Sequence, residues 1–213
     1  MGISLAKGQG LSLEKSEHNL SLVTIGLGWD IAEPKKGLLG GLFGGKTAEY
    51  DLDVIAFLCD ENGKVRDVGR DNTGNVTLQN SDVIFFNNLR HRSGDIWLTG
   101  DNRTGAGDGD DEQIIVKLNN LSYDYHKIVF IVQIYGGASN NQHFGEVSNA
   151  FIRAVDGSGK EMVRFNLSGK GQHEQKRSLL FAELVRENNG WKFNAVGQSS
   201  ASDNFVEWLK NYV

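Results

Sequence analysis

The chain has 213 residues, 39% of them hydrophobic, and a formal net charge of −5 at pH 7. That is enough apolar material for a substantial core, and no basic stretch is dense enough to displace counterions from a polynucleotide, so nucleic-acid binding is disfavoured. One cysteine, Cys59, rules out an intramolecular disulfide, and the first twenty residues hold no run of secretion-signal or membrane-span length, which points to a cytoplasmic protein.

Taken in chain order, runs rich in Val, Ile and Phe at 20–29, 51–58, 83–86, 113–118, 127–135, 147–155, 161–167, 178–186 and 191–196 predict strands. Turn signals separate them, including "ENGK" at 61–64, "DGSGK" at 156–160 and "ENNG" at 187–190. Short strands, many turns and almost no helix predict an all-β fold: a sandwich of two mainly antiparallel sheets with a short C-terminal helix. The helix is expected in "ASDNFVEWLKNYV", capped by Ser202 or Asp203, with Phe205, Trp208, Leu209 and Tyr212 on the packed face. The whole of 1–213 reads as one domain, with insertions near 33–49 and 67–80 where the strand rhythm breaks.

The first insertion contains Gly40-Gly41-Leu42-Phe43-Gly44-Gly45-Lys46-Thr47, which satisfies G-x-x-x-x-G-K-[ST]. A phosphate cradle needs a strand before it and a helix N-terminus after it. Here "IAEPKKGLL" precedes it and the strand-like "DLDVIAFL" follows within a few residues, so nucleotide binding at Gly40–Thr47 is disfavoured. Leu38, Leu39, Leu42 and Phe43 make a partner or membrane contact the alternative use of this segment.

The sharpest feature is "TGDNRTGAGDGDDEQIIVKL", where Asp101, Asp108, Asp110, Asp111 and Glu112 stand with Asn102 among glycines, just before a strand. Like charges at this density repel one another unless solvent or a cation screens them. A glycine-rich loop can curl its oxygens around a hard divalent ion, and calcium suits such flexible geometry better than magnesium. Zinc is disfavoured because five histidines and one cysteine show no ligand-like spacing. An EF-hand is rejected: Arg103 and Ala106 occupy its third and sixth positions and a strand follows it. Asp30 in "GLGWD" and Asp51 and Asp53 in "DLDV" are further oxygen donors, and Asp53 beside "VIAFL" needs something positive to neutralise it.

Together "GLGWD", "DLDVIAFL", the acidic loop, "FGEVSNAFIRAVD" and "GWKFNAVGQ" resemble the tellurium-resistance TerD family, also described as bacterial stress proteins, over about residues 1–198. The resemblance implies a two-sheet sandwich that binds calcium, here two ions, through acidic loops at one end. It assigns ligand duty to Asp30, Asp51, Asp53, Asp101, Asn102, Asp108, Asp110, Asp111 and Glu112. Arg103 and Ala106 depart from the family pattern and are expected to trim affinity. "FGEVSNAFIRAVD" is expected to pair as a strand near the same end, with Asn149 as a supporting donor.

Three functions follow. The first is a non-enzymatic, calcium-binding stress-response module that acts on protein partners. The second is a metal-dependent phosphate-ester hydrolase, which lacks an acid/base set beside the carboxylates. The third is calcium-dependent docking to anionic membranes through the leucines and Phe43 of the glycine-rich segment. The first is the expectation.

Overall fold

The computed structural model describes residues 2–31, 50–99, 109–166, 173–188 and 190–213. The glycine-rich segment with its P-loop lookalike, and residues 100–108 of the acidic loop, lie outside the described residues. The strands are β1 (Ile3–Leu5), β2 (Gly10–Glu14), β3 (Val23–Ile31), β4 (Leu52–Cys59), β5 (Val83–Ile84), β6 (Ile96–Leu98), β7 (Glu112–Val116), β8 (Lys127–Ile134), β9 (Val147–Val155), β10 (Glu161–Asn166), β11 (Ser178–Glu187) and β12 (Gly190–Ser200). One sheet runs β1-β10-β9-β3-β7-β6 and the other β2-β12-β11-β8-β4-β5. Every pairing is antiparallel except β1 with β10.

Alternation along the strands builds two apolar layers. Ile25, Leu27 and Trp29 of β3 join Leu52, Val54, Ala56 and Leu58 of β4 between the sheets. The intervening residues of β4, Ile55, Phe57 and Cys59, face the other way and pack with Phe205, Trp208 and Leu209. The C-terminal segment thus covers one face of the second sheet. Its helix is shorter than expected, α1 at Val206–Leu209, and no side chain caps it through Ser202 or Asp203. The reason is tertiary: the Asp203 carboxylate accepts the Ala138 N–H at 2.8 Å, and the Phe205 N–H goes to Gln133 Oε1 at 2.8 Å. Residues 67–80 form a small hairpin in which the Thr77 and Leu78 N–H groups return to the Gly69 and Val68 carbonyls.

A buried polar cluster ties the hairpin after β5 to the loop before β8. Asp82, with no exposed surface, accepts from Tyr125 Oη (2.8 Å), from Arg92 Nη2 (3.0 Å) and from the Asp67 N–H (3.0 Å). His91 stands 3.1 Å from it through Nε2. The Ser93 N–H donates to His91 Nδ1 at 3.2 Å, which leaves Nε2 as the nitrogen that carries the proton toward Asp82. Ser93 Oγ accepts the Asp95 N–H within the same turn, so Asp82, His91 and Ser93 act as a staple. Burial alone would push the Asp82 carboxyl up, but the His91, Tyr125 and Arg92 donors outweigh it and hold the group below the usual carboxylate range. A lowered folded-state value contributes stability above the unfolded carboxylate range, and that stability is lost as pH falls through the folded value. Asp82→Asn is therefore expected to cost at least about 2 kcal/mol at neutral pH, with the deficit shrinking as urea unfolding is repeated at progressively lower pH; a deficit constant with pH would contradict this.

Candidate metal centre

The end of the β3–β7 ladder gathers the carboxylates. Leu27 pairs with Glu112, and the Asp111 N–H extends the ladder to the Leu27 carbonyl at 2.8 Å. Asp111 then turns its Oδ2 to the Trp29 N–H at 2.9 Å. Burial is the main reason its carboxyl is pushed up; the charges of Asp30 and Asp110 add to the rise and the Trp29 N–H opposes it. Asp30 follows Trp29 on the exposed, outer side of the sheet. Its Oδ2 accepts from Asn149 Nδ2 at 2.6 Å, and its carbonyl from Ser148 Oγ at 3.2 Å. Here β9 carries an extra residue opposite Trp29, since Gly28 pairs with Phe151 but Asp30 with Ser148, and Asn149 takes φ 51°. The bulge aims the Asn149 amide at Asp30.

Asp110 lies over the outer face of β3. Arg153 of β9 grips it with a two-point fork, Nε to Oδ1 at 2.7 Å and Nη2 to Oδ2 at 3.1 Å, and Gln113 Nε2 approaches at 3.4 Å. Two glycines make room. A Cβ at Gly26 would overlap the Asp110 carboxylate, and one at Gly28 would lie 2.6 Å from the Gly109 carbonyl oxygen. Glu112 points the opposite way, into the sandwich, where it is 2% exposed and its Oε2 accepts the Val54 N–H of β4 at 2.7 Å. It joins the two sheets.

Asp51, half-buried before β4, offers its carbonyl to the Tyr135 N–H at 2.8 Å. Asp53 is 6% exposed, on the face of β4 that carries Ile55 and Phe57, away from Glu112. Gln133 Nε2 donates to it at 3.1 Å, and the same amide receives the Phe205 N–H through its oxygen. The Gln133 amide thus ties Asp53 to the C-terminal segment. Asp101, Asn102 and Asp108 lie outside the described residues. The structure therefore brings Asp30, Asp110 and Asp111 to one strand end, and sends Glu112 into the core and Asp53 to the opposite face.

Among the described residues no three His, Cys, Asp or Glu side chains are placed to hold a metal ion by themselves. The donor chemistry fits a hard cation nonetheless: carboxylate oxygens at a strand end, pushed together by backbone register, with one guanidinium already committed to Asp110. Residues the sequence reading did not single out are Arg153, Gln133 and the Gly26/Gly28 pair; the alternation of glycine with Ile25, Leu27 and Trp29 in "IGLGWD" was the signal available for the last.

Residues 1–212 match the TerD domain. The chain is 65% identical over 213 residues to "Tellurium resistance protein TerX" of Serratia marcescens, with 100% of each covered. It is 38% identical to "Stress response protein SCP2" of Bacillus subtilis, again over 100% of both. Among solved structures, a homologue of telluride resistance protein (TerD) from Streptomyces coelicolor A3(2) superposes with TM-score 0.59 at 23% identity, covering 88% of this chain and 95% of that one, which is a likeness of fold. A full-length family match and relatives of this identity place the chain in the TerD family of tellurium-resistance and stress-response proteins.

Proposed function

We propose that the chain is a calcium-binding, non-catalytic stress-response protein whose metal centre lies at the β3–β7 end of the sandwich and whose loaded surface meets protein partners. The observation that carries this is the crowding of Asp30, Asp110 and Asp111 around one strand end, where Asp111 is held partly buried among like charges. Arg153 balances Asp110, and carboxylate oxygens gathered in this way are the donors a hard cation takes. The proposed ligands are Asp30 and Asp111, joined by Asp101, Asn102 and Asp108 of the adjoining loop, with backbone carbonyls and water completing the shells of two calcium ions; Asp51 alternates with the core residues Tyr50 and Leu52 onto the Asp53 side of β4 and is left out of the set. Calcium, when bound, supplies positive charge that draws the acidic segments together. Asn149 orients Asp30, and the Trp29 N–H orients Asp111. The names of the relatives place them in tellurium resistance and stress response, and a role of that kind for this chain is part of the proposal. No helix among the described residues is long and apolar enough to cross a membrane. The cytoplasmic location expected from the sequence is part of the proposal.

Two outcomes are expected. Calcium added to chelator-stripped protein raises the melting temperature, equivalent to about 2.7 kcal/mol at a hundredfold excess over Kd, and magnesium at the same concentration raises it much less; equal small shifts for both ions would contradict the reading. Asp111→Asn and Asp30→Asn lose most of the calcium-induced increment, whereas Asp53→Asn lowers the starting melting temperature but keeps the increment, as its position on the opposite face requires. Thermal unfolding with and without calcium on the three variants checks this.

A further inference from the structure

Resting on the calcium reading, we propose that Arg153 is a positioning residue for the metal centre: it clamps Asp110 onto the bare backbone of Gly26 and so presents the next residue, Asp111, to the cation. The adjacent carboxylates divide the work. The Asp110 side chain is 2% exposed, and both its oxygens are taken by the Arg153 fork. A buried carboxylate met by a two-point guanidinium has one orientation, because losing either contact leaves charge without compensation. Gly26 completes the socket, since any side chain there would evict the carboxylate.

The clamp is braced from behind. Arg153 Nη1 donates to Glu161 Oε2 at 3.2 Å, Arg164 Nη2 donates to the same oxygen at 3.0 Å, and the Arg164 guanidinium lies 3.9 Å from the centre of the Phe151 ring. These groups come from β9 and β10, so the loop end is referenced to the sheet through Arg153. With Asp110 fixed on the outer face of β3, the chain has little freedom at Asp111, whose N–H is pinned to Leu27 and whose Oδ2 is pinned to the Trp29 N–H.

A purely electrostatic account gives the opposite sign. A guanidinium close to a cation site repels the cation, so removing it would tighten calcium binding. A clamp predicts loosening. Arg153→Ala is expected to weaken calcium binding in calorimetric titration by about 10- to 100-fold, the range typical of partners that orient a ligand. Gly26→Ala changes affinity in the same direction from the other side of the socket, and Arg153→Lys, which keeps the charge but not the fork, gives an intermediate loss. A second readout needs no ion: in chelator, hydrogen exchange at the Asp111 and Trp29 amides speeds up in both alanine variants.

Calcium affinity that is unchanged or raised in Arg153→Ala, with amide exchange unaltered, overturns the clamp and leaves the calcium reading standing. Wild-type protein that gives no calcium heat overturns the reading and with it the metal role of Arg153, and the exchange data, independent of the ion, distinguish that failure from the first. Should an alanine variant fail to fold, Arg153→Lys carries both measurements.

Discussion

The register between β3 and β7 is the constraint from which the rest follows. Once Leu27 stands opposite Glu112, the next residues of each strand have no freedom to separate, and three carboxylates arrive at one corner of the sandwich. The sheets are held together by apolar burial between β3, β4 and their neighbours. That apolar contact is what sustains the electrostatic crowding, because β3 cannot withdraw Asp30 without withdrawing Trp29 and Leu27 from the core.

The fold disposes of its acidic groups by different devices. Asp110 takes a guanidinium, Glu112 takes a backbone N–H of the facing sheet, and Asp53 takes a side-chain amide that also anchors the C-terminal segment. A carboxylate in an apolar surrounding needs donors, and the protein supplies them wherever the group serves architecture. Asp30 and Asp111 stand at the end of the β3–β7 ladder, oriented by the Asn149 amide and the Trp29 N–H.

The long strands were legible because Val, Ile and Phe runs between turn residues have few other ways to bury themselves. Three strands were not, and all three are edges: β1, β2 and β6 are short, and much of β1 and β2 faces solvent, so no apolar run announces them. The C-terminal packing face was readable from Phe205, Trp208 and Leu209, but the helix length was not, because Asp203 and the Phe205 N–H are drawn to Ala138 and Gln133 from distant parts of the chain. The same limit applied to the carboxylates. Composition marks Asp53 as in need of partners, but nothing near it in sequence announces the Gln133 amide that β8 places alongside, eighty positions away. Asp110 is similar, since nothing near it in sequence announces Arg153.

The most direct test of the central claim is an amide chemical-shift titration of the isotope-labelled, chelator-stripped chain with calcium. The account predicts saturable shifts concentrated at Trp29, Asp30 and Asp111, at a fixed number of ions per chain, with Asp53 and Asp82 unmoved. A small, unsaturable drift spread over acidic residues everywhere, with those three amides no different from the rest, would contradict it.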